Sequence, residues 1–226
     1  MRTPSPADPV RPRPVKAPRR TLRARNTPLE QLALELAPSA SRWTFSRRIV
    51  RSRHHRRILE RLEFVRRFFP ELDAVSIHVG QALKPGVLGW GSMDPERPGI
   101  WVRPIRLATF TIAHEFIHLL QARGLAPQGE RSCDLWALAR SPLIIDCPPS
   151  YLALPRALRA RKTIDAPTAS LLCRMAREAI ERRERGDRRY LARFEREFAA
   201  EWAGRRVAAA PVRRAPIERM RLALEG

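Results

Sequence analysis

The chain has 226 residues, of which 44% are hydrophobic, and this length suits one well-packed domain with appendages. It holds no run of about 20 apolar residues and no apolar segment near its start. These absences argue against a membrane-spanning helix and a standard secretory signal, so we expect a cytoplasmic protein without a membrane partner. Three cysteines without a CxxC pair exclude a disulfide framework.

The surplus of basic residues is the strongest signal in the composition. The chain carries 44 Lys and Arg against 23 Asp and Glu, a net charge of +21, and such a surface attracts polyanions. Only Lys16, Lys84 and Lys162 are lysines. Coding bias in a GC-rich genome explains Arg in place of Lys, but not the excess of base over acid. The charge therefore predicts non-specific nucleic-acid contact through the basic surface and tails.

The N-terminal part of the chain is predicted to be a tail followed by helices. Residues 1–27 carry six prolines and many arginines with almost nothing to bury, which predicts a disordered basic tail. A helix is expected to begin at Pro28, and a longer one is predicted over about 41–69. Its apolar positions recur at three- and four-residue steps: Ile58, Leu62, Val65 and Phe69. The arginines on the opposite face indicate a solvated surface or, alternatively, a groove that follows phosphates.

The periodicity changes after Pro70. Three short segments rich in β-branched and aromatic residues are predicted to be strands, at 74–79, 87–92 and 100–102. A helix follows over about 107–123, closed by Gly124 in a C-cap position, and another is predicted over about 130–140. Prolines predict that 141–158 is largely loop. Apolar stripes then predict two helices, at about 167–185 and 187–203, packed on the main domain, before a basic tail at 204–226.

His114 and His118 carry the clearest chemical signal. Residues four apart on a helix point the same way, one turn from each other, so both imidazoles can bind one Zn²⁺ at about 2.0–2.1 Å. Glu115 lies beside them, where it can accept a proton from a water activated at the metal. This is the HExxH motif, and it predicts one zinc ion. The alternative is two core histidines beside a surface glutamate.

A catalytic zinc requires a third protein ligand. No histidine follows His118, so carboxylates or Cys133 remain as candidates. Glu130 and Asp134 begin the next predicted helix, and their spacing of four puts them on one face. Either carboxylate can bind the metal while the other accepts the second N–H of a ligating histidine. A glutamate favoured at a helix N-terminus is the alternative reading of Glu130.

HExxH followed by ExxxD on a second helix resembles the gluzincin branch of the zinc metallopeptidases. The resemblance implies that Glu130 is the third zinc ligand, beside His114 and His118. It also implies that Asp134 supports a ligating histidine. The alternative reverses the roles of Glu130 and Asp134.

Residues 72–140 also resemble the minimal zincins, as in the SprT-like and ImmA/IrrE-like families. That resemblance implies an α+β fold in which a small, mostly antiparallel sheet packs on the HExxH helix. It also implies that residues 100–102 form an open sheet edge to which an extended peptide adds. SprT-like proteins take a third His, which no residue after His118 supplies, whereas the ImmA/IrrE pattern has a downstream acidic ligand. We place the zincin-like domain at 28–158 and a C-terminal helical pair at 159–203.

We therefore expect a zinc-dependent metallopeptidase that acts on a protein or peptide substrate. Zinc would activate water and polarise a carbonyl, with Glu115 as the general base that then returns the proton to the leaving amine. Tyr151 is the candidate for stabilising the oxyanion, its alternative being an ordinary loop aromatic. The competing hypotheses are a non-catalytic zinc-binding regulator and a DNA-associated basic protein. Structural or surface roles are expected for His54, His55 and His78, and core or cleft-wall positions for Trp90 and Trp101.

Overall fold

The structure of the protein is a computed structural model that describes residues 42–83 and 89–209. The predicted tail at 1–27, the helix expected from Pro28 and residues 210–226 lie outside the described residues. Within them the fold is α+β, as predicted, with seven α-helices and four strands. The helices are α1 (Arg47–Val50), α2 (His55–Arg66), α3 (Thr109–Ala122), α4 (Glu130–Arg140), α5 (Arg156–Arg159), α6 (Ala166–Glu184) and α7 (Tyr190–Ala209). The strands are β1 (Trp43–Phe45), β2 (Ile77–Gln81), β3 (Gly89–Gly91) and β4 (Gly99–Val102).

The sheet is mixed, with the strand order β1-β2-β4-β3. The pairs β1–β2 and β2–β4 are parallel, and only β3–β4 is antiparallel, so the prediction of a mostly antiparallel sheet is wrong. An antiparallel pair can be closed by a short local turn, whereas parallel pairs need crossover connections that sequence patterns do not reveal. Because β4 lies between β2 and β3, the prediction that 100–102 is a sheet edge is also wrong. Among the described strands, β3 is the outermost on that side.

The single helix predicted over 41–69 is divided in the structure. Trp43–Phe45 pairs with β2, and the Ser46 backbone N–H continues this contact by donating to the Val79 carbonyl at 2.9 Å. Helix α2 carries Ile58, Leu62 and Val65 of the predicted stripe, whereas Phe69 lies beyond its end, and all four side chains are fully buried. Arg66 also lies inside, 2% exposed, and donates to the Val75 carbonyl at 2.8 Å. Strand β1 is invisible in a local pattern because its pairing partner comes after α2.

Helix α3 is the central helix of the core. Its Phe116 ring packs on Trp43 of β1, with 6.1 Å between centroids, and edge-on against Phe69, at 5.3 Å. Nearly all of its residues from Phe110 to Gln121 are buried. The helix that carries the HExxH motif is therefore held against both the sheet and α2.

Both ends of α3 are defined by hydrogen bonds. The Asp146 carboxylate accepts from the backbone N–H of Thr109 at 2.9 Å and of Phe110 at 3.1 Å, which satisfies two donors at the helix start. At the other end Gly124 has a φ of 72° and its N–H bonds to the Gln121 carbonyl at 3.0 Å, as its predicted C-cap position requires. The predicted helix over about 107–123 is therefore confirmed within two residues.

The C-terminal helices continue the same core. Helix α4 packs on α3 and on α6, and α7 packs on α6. Glu195 of α7 accepts from Arg131 of α4 at 2.6 Å and from the backbone N–H of Ala153 at 2.8 Å, which joins α7 to the segment after α4. Helix α7 runs to Ala209, so residues 204–209 of the predicted basic tail are helical, and the rest of that predicted tail lies outside the described residues. The predicted division between 28–158 and 159–203 stays a prediction.

Candidate metal centre

The histidines of the motif meet a carboxylate of the neighbouring helix. Glu130 Oε2 lies 3.0 Å from His114 Nε2 and 3.3 Å from His118 Nε2. Two donors bound to one tetrahedral ion at about 2.0–2.1 Å are roughly 3.3 Å apart. The spacing of these atoms therefore fits the coordination shell of a single cation. Two imidazole nitrogens and a carboxylate oxygen are donors that bind divalent transition metals.

A second residue fixes the ring of each histidine. Asp134, 1% exposed, accepts from His114 Nδ1 at 2.8 Å. Gln121 Oε1 lies 3.0 Å from His118 Nδ1, and the Gln121 amide donates to the Gly129 carbonyl at 3.2 Å. A bond at Nδ1 leaves Nε2 as the nitrogen that faces the other donors. Gln121 was not among the predicted site residues, although its position three residues after His118 puts it on the same helix face.

Cys133 is a further donor at this centre. Its thiol is buried and lies 3.3 Å from His118 Nδ1 and 3.7 Å from Nε2. His114, His118 and Cys133 form a group that could bind a metal ion, because one donor atom from each lies within 4.8 Å of the others. The third ligand can thus come from Glu130 or from Cys133, two of the candidates that the sequence left open.

Glu115 is buried next to the histidines, with 4% of its surface exposed. Its Oε2 has no hydrogen-bond partner among the described residues. Strand β3 covers this carboxylate with glycines: a Cβ built on Gly89 would lie 2.7 Å from Glu115 Oε1, and one on Gly91 would lie 2.8 Å from the Cβ of His118. Only a strand without side chains at these positions can approach α3 so closely.

The proton affinities reflect this crowding of ionisable groups. Burial lowers the pKa of His114, but the hydrogen bond and charge of Asp134, with Glu115 and Glu130, outweigh it, so that the pKa rises overall. Burial and the charge of His114 lower the pKa of His118. Burial raises the pKa of Glu115 to about 7, against the opposing effect of His114. The environment thus moves the pKa values of the two histidines in opposite directions and brings that of Glu115 near neutral pH.

Tyr151 lies beside the centre, although it is 51% exposed. Its ring stacks on that of His114, with 5.4 Å between centroids. Its backbone N–H donates to Asp134 Oδ2 at 2.6 Å, so Asp134 holds both a histidine and the loop that carries Tyr151. Burial and the carboxylates of Glu130 and Glu115 raise the pKa of Tyr151, so the phenol keeps its proton at neutral pH.

A cavity of about 1010 Å³ opens beside these residues. It is lined by Gly89 and Trp90 of β3, by the motif residues of α3, by Glu130 and Asp134, and by segments 147–151 and 159–162. Trp90 lines the cavity, as expected of a cleft-wall residue, and stacks on Trp101, which does not line it, with 3.7 Å between ring centroids. His54, His55 and His78 do not line the cavity. The cavity is large enough to admit part of a peptide.

Comparison of the chain with protein-family models, with curated proteins and with solved structures found no match. None of the described helices combines the length and the apolar character that crossing a membrane requires. The function is therefore inferred from the geometry of the site.

Proposed function

We propose that the protein is a zinc-dependent metallopeptidase of the zincin type, with His114, His118 and Glu130 as the residues that hold the metal. The observation that carries this proposal is the approach of both Nε2 atoms to one oxygen of Glu130, at 3.0 and 3.3 Å. Imidazole and carboxylate donors with such spacing suit Zn²⁺, and an open coordination position is required for catalysis. The adjoining cavity gives water and substrate access to such an open coordination position.

Glu130 is preferred over Cys133 as the third ligand because of its position. Glu130 Oε2 faces the Nε2 atom of both rings, whereas Cys133 Sγ lies nearer to Nδ1 of His118, the nitrogen that Gln121 already engages. Asp134 is left to orient His114, the role expected from the gluzincin resemblance.

A zinc ion at this centre would supply a Lewis acid that activates water and polarises the scissile carbonyl. The chain itself supplies the proton transfers. Glu115 Oε2 has no hydrogen-bond partner among the described residues and borders the cavity, so it is free to accept a proton there. The same carboxyl group then donates that proton to the leaving amine. Cleavage of a peptide bond needs both transfers.

The substrate is proposed to bind as an extended strand beside β3. This strand is the outermost on its side of the sheet among the described residues, and its glycines bring it against Glu115 and His118. An added peptide strand would satisfy exposed backbone groups of β3 and pass the metal centre. Tyr151, stacked on His114 and half exposed to the cavity, has a phenolic O–H suited to stabilising the oxyanion.

Metal analysis and a cleavage assay test this proposal together. We expect one zinc per chain in the wild type, none in His118→Ala, and hydrolysis of an unfolded protein substrate by the wild type alone. Glu115→Gln keeps the zinc donors and is expected to bind zinc while losing about 10²- to 10⁴-fold in cleavage rate. Cleavage retained in Glu115→Gln would refute the proposed role of Glu115. Bound zinc without cleavage of any substrate would favour a regulator, and metal-free protein that binds DNA would favour the basic-protein hypothesis.

A further inference from the structure

Three cations contribute to the wall of the cavity: Arg159 at the end of α5, and Arg161 and Lys162 in the segment that leads to α6. Arg161 already has a partner, because it pairs with Asp165 at 2.6 Å and lies over the Trp202 ring at 5.8 Å. Arg159 and Lys162 are exposed, and neither has an ion-pair partner among the described residues. The cavity thus contains two positive charges that no acidic residue of the described ranges neutralises.

The negative charges that line the same cavity belong to the metal centre. Asp134 is occupied by His114 and by backbone N–H groups, and Glu130 faces the two histidines. The charges are therefore segregated by segment, with carboxylates on α3 and α4 and, at 159–162, two cations without an ion-pair partner among the described residues. The part of the cavity wall that carries these cations attracts ligand groups of negative charge.

This arrangement deepens the proposed function and rests on it. We propose that Arg159 and Lys162 form a carboxylate-binding subsite, so that the enzyme selects peptides with an acidic group near the scissile bond. The guanidinium fork of Arg159 matches a carboxylate with two parallel hydrogen bonds, and Lys162 adds a compact charge. A nucleic-acid backbone fits these two residues less well, because tracking a phosphate chain needs a long basic groove rather than two free cations beside a metal centre.

The source of the carboxylate is either an acidic side chain or the C-terminus of the peptide. Three short Ala-rich peptides separate them: one with a central Glu and an amidated end, one with Gln and an amidated end, and one with Gln and a free C-terminal carboxylate. Their dissociation constants are measured by fluorescence polarisation on zinc-loaded Glu115→Gln, which is expected to bind without cleaving. We expect one of the two carboxylate peptides to bind about five- to tenfold more tightly than the neutral peptide.

Two double variants in the same Glu115→Gln background, each of which removes two positive charges, show whether Arg159 and Lys162 cause the preference for a carboxylate. Arg159→Ala with Lys162→Ala is expected to abolish the preference. Arg67→Ala with Arg188→Ala removes the same charge from exposed positions outside the cavity and is expected to keep it. Equal binding of all three peptides, or a preference that survives loss of Arg159 and Lys162, would overturn the proposal. Tighter binding of a short single-stranded oligonucleotide through the same two residues would overturn it as well.

Cleavage of the same peptides by the wild type separates this inference from the proposed function. If all three are cleaved at equal rates, the peptidase stands and the carboxylate subsite does not. If none is cleaved while the acidic peptide still binds through Arg159 and Lys162, the subsite stands and the peptidase does not.

Discussion

Asp134 should be the most informative residue to change, because one carboxylate supports two parts of the site. Oδ1 accepts from His114 Nδ1 at 2.8 Å, and Oδ2 accepts from the backbone N–H of Tyr151 at 2.6 Å and of Leu152 at 3.2 Å. The substitution Asp134→Asn keeps the size and shape of the side chain but replaces one acceptor oxygen with an NH₂ donor. We expect it to weaken both zinc binding and the loop that carries Tyr151.

The size of the effect follows from the three donors. If the Asn oxygen stays with the two backbone N–H groups, its NH₂ faces His114, which moves the ring proton to Nε2 and removes the lone pair that binds metal. If the oxygen turns to His114, the backbone N–H groups of Tyr151 and Leu152 lose their acceptor, and the buried one of Leu152 alone costs about 1–3 kcal/mol. Losing the carboxylate partner of a metal-bound histidine typically weakens metal affinity about 10- to 100-fold, which equals about 1.4–2.7 kcal/mol.

Zinc affinity is measured by competition with a chromophoric chelator, and the free energy of unfolding by denaturant titration of the metal-free protein. Asp146→Asn is the matched control, because that carboxylate also accepts from two backbone N–H groups but touches neither histidine. It should lose stability and keep its zinc affinity. Zinc affinity of Asp134→Asn within about threefold of the wild type, or an equal loss in Asp146→Asn, would refute the reasoning.

Three further predictions test the ligand set and its surroundings. Glu130→Gln should lose more than about 100-fold in zinc affinity, the upper range for losing a residue that only supports a metal ligand. Cys133→Ala should bind zinc nearly as tightly as the wild type. The reverse result in the chelator assay would make Cys133 the ligand. Gly91→Ala should destabilise the protein by about 1–3 kcal/mol in denaturant titrations, because its Cβ would lie 2.8 Å from the Cβ of His118. The control Gly204→Ala has open space around the new Cβ and should be neutral or stabilising. Removing zinc with a chelator should lower the melting temperature of the wild type, because zinc at 100 times its Kd adds about 2.7 kcal/mol to the free energy of unfolding. A decrease of equal size in His118→Ala would show that zinc does not stabilise the protein through this site.

Local sequence was enough to predict the helices that carry the candidate site. The HExxH spacing and the ExxxD spacing lie within single helices, where residues four apart must share a face, so local sequence predicted α3, α4 and which of their candidate residues share a face. Gly124 marked the end of α3 because a left-handed residue commonly ends a helix. The two C-terminal helices were also predicted, since their apolar stripes are long and regular.

Only the tertiary structure decided which segments meet. Strand β1 was predicted as helix because its parallel partner β2 lies beyond α2. The mostly antiparallel sheet was implied by the resemblance to the minimal zincins, and only the long-range pairing showed that two of the three strand pairs are parallel. The cations at 159–162 carried no local signal, because their position beside the site depends on contacts across the fold. Local sequence thus determined which residues could act together along each helix. Which helices, strands and loops surround them was decided by long-range packing.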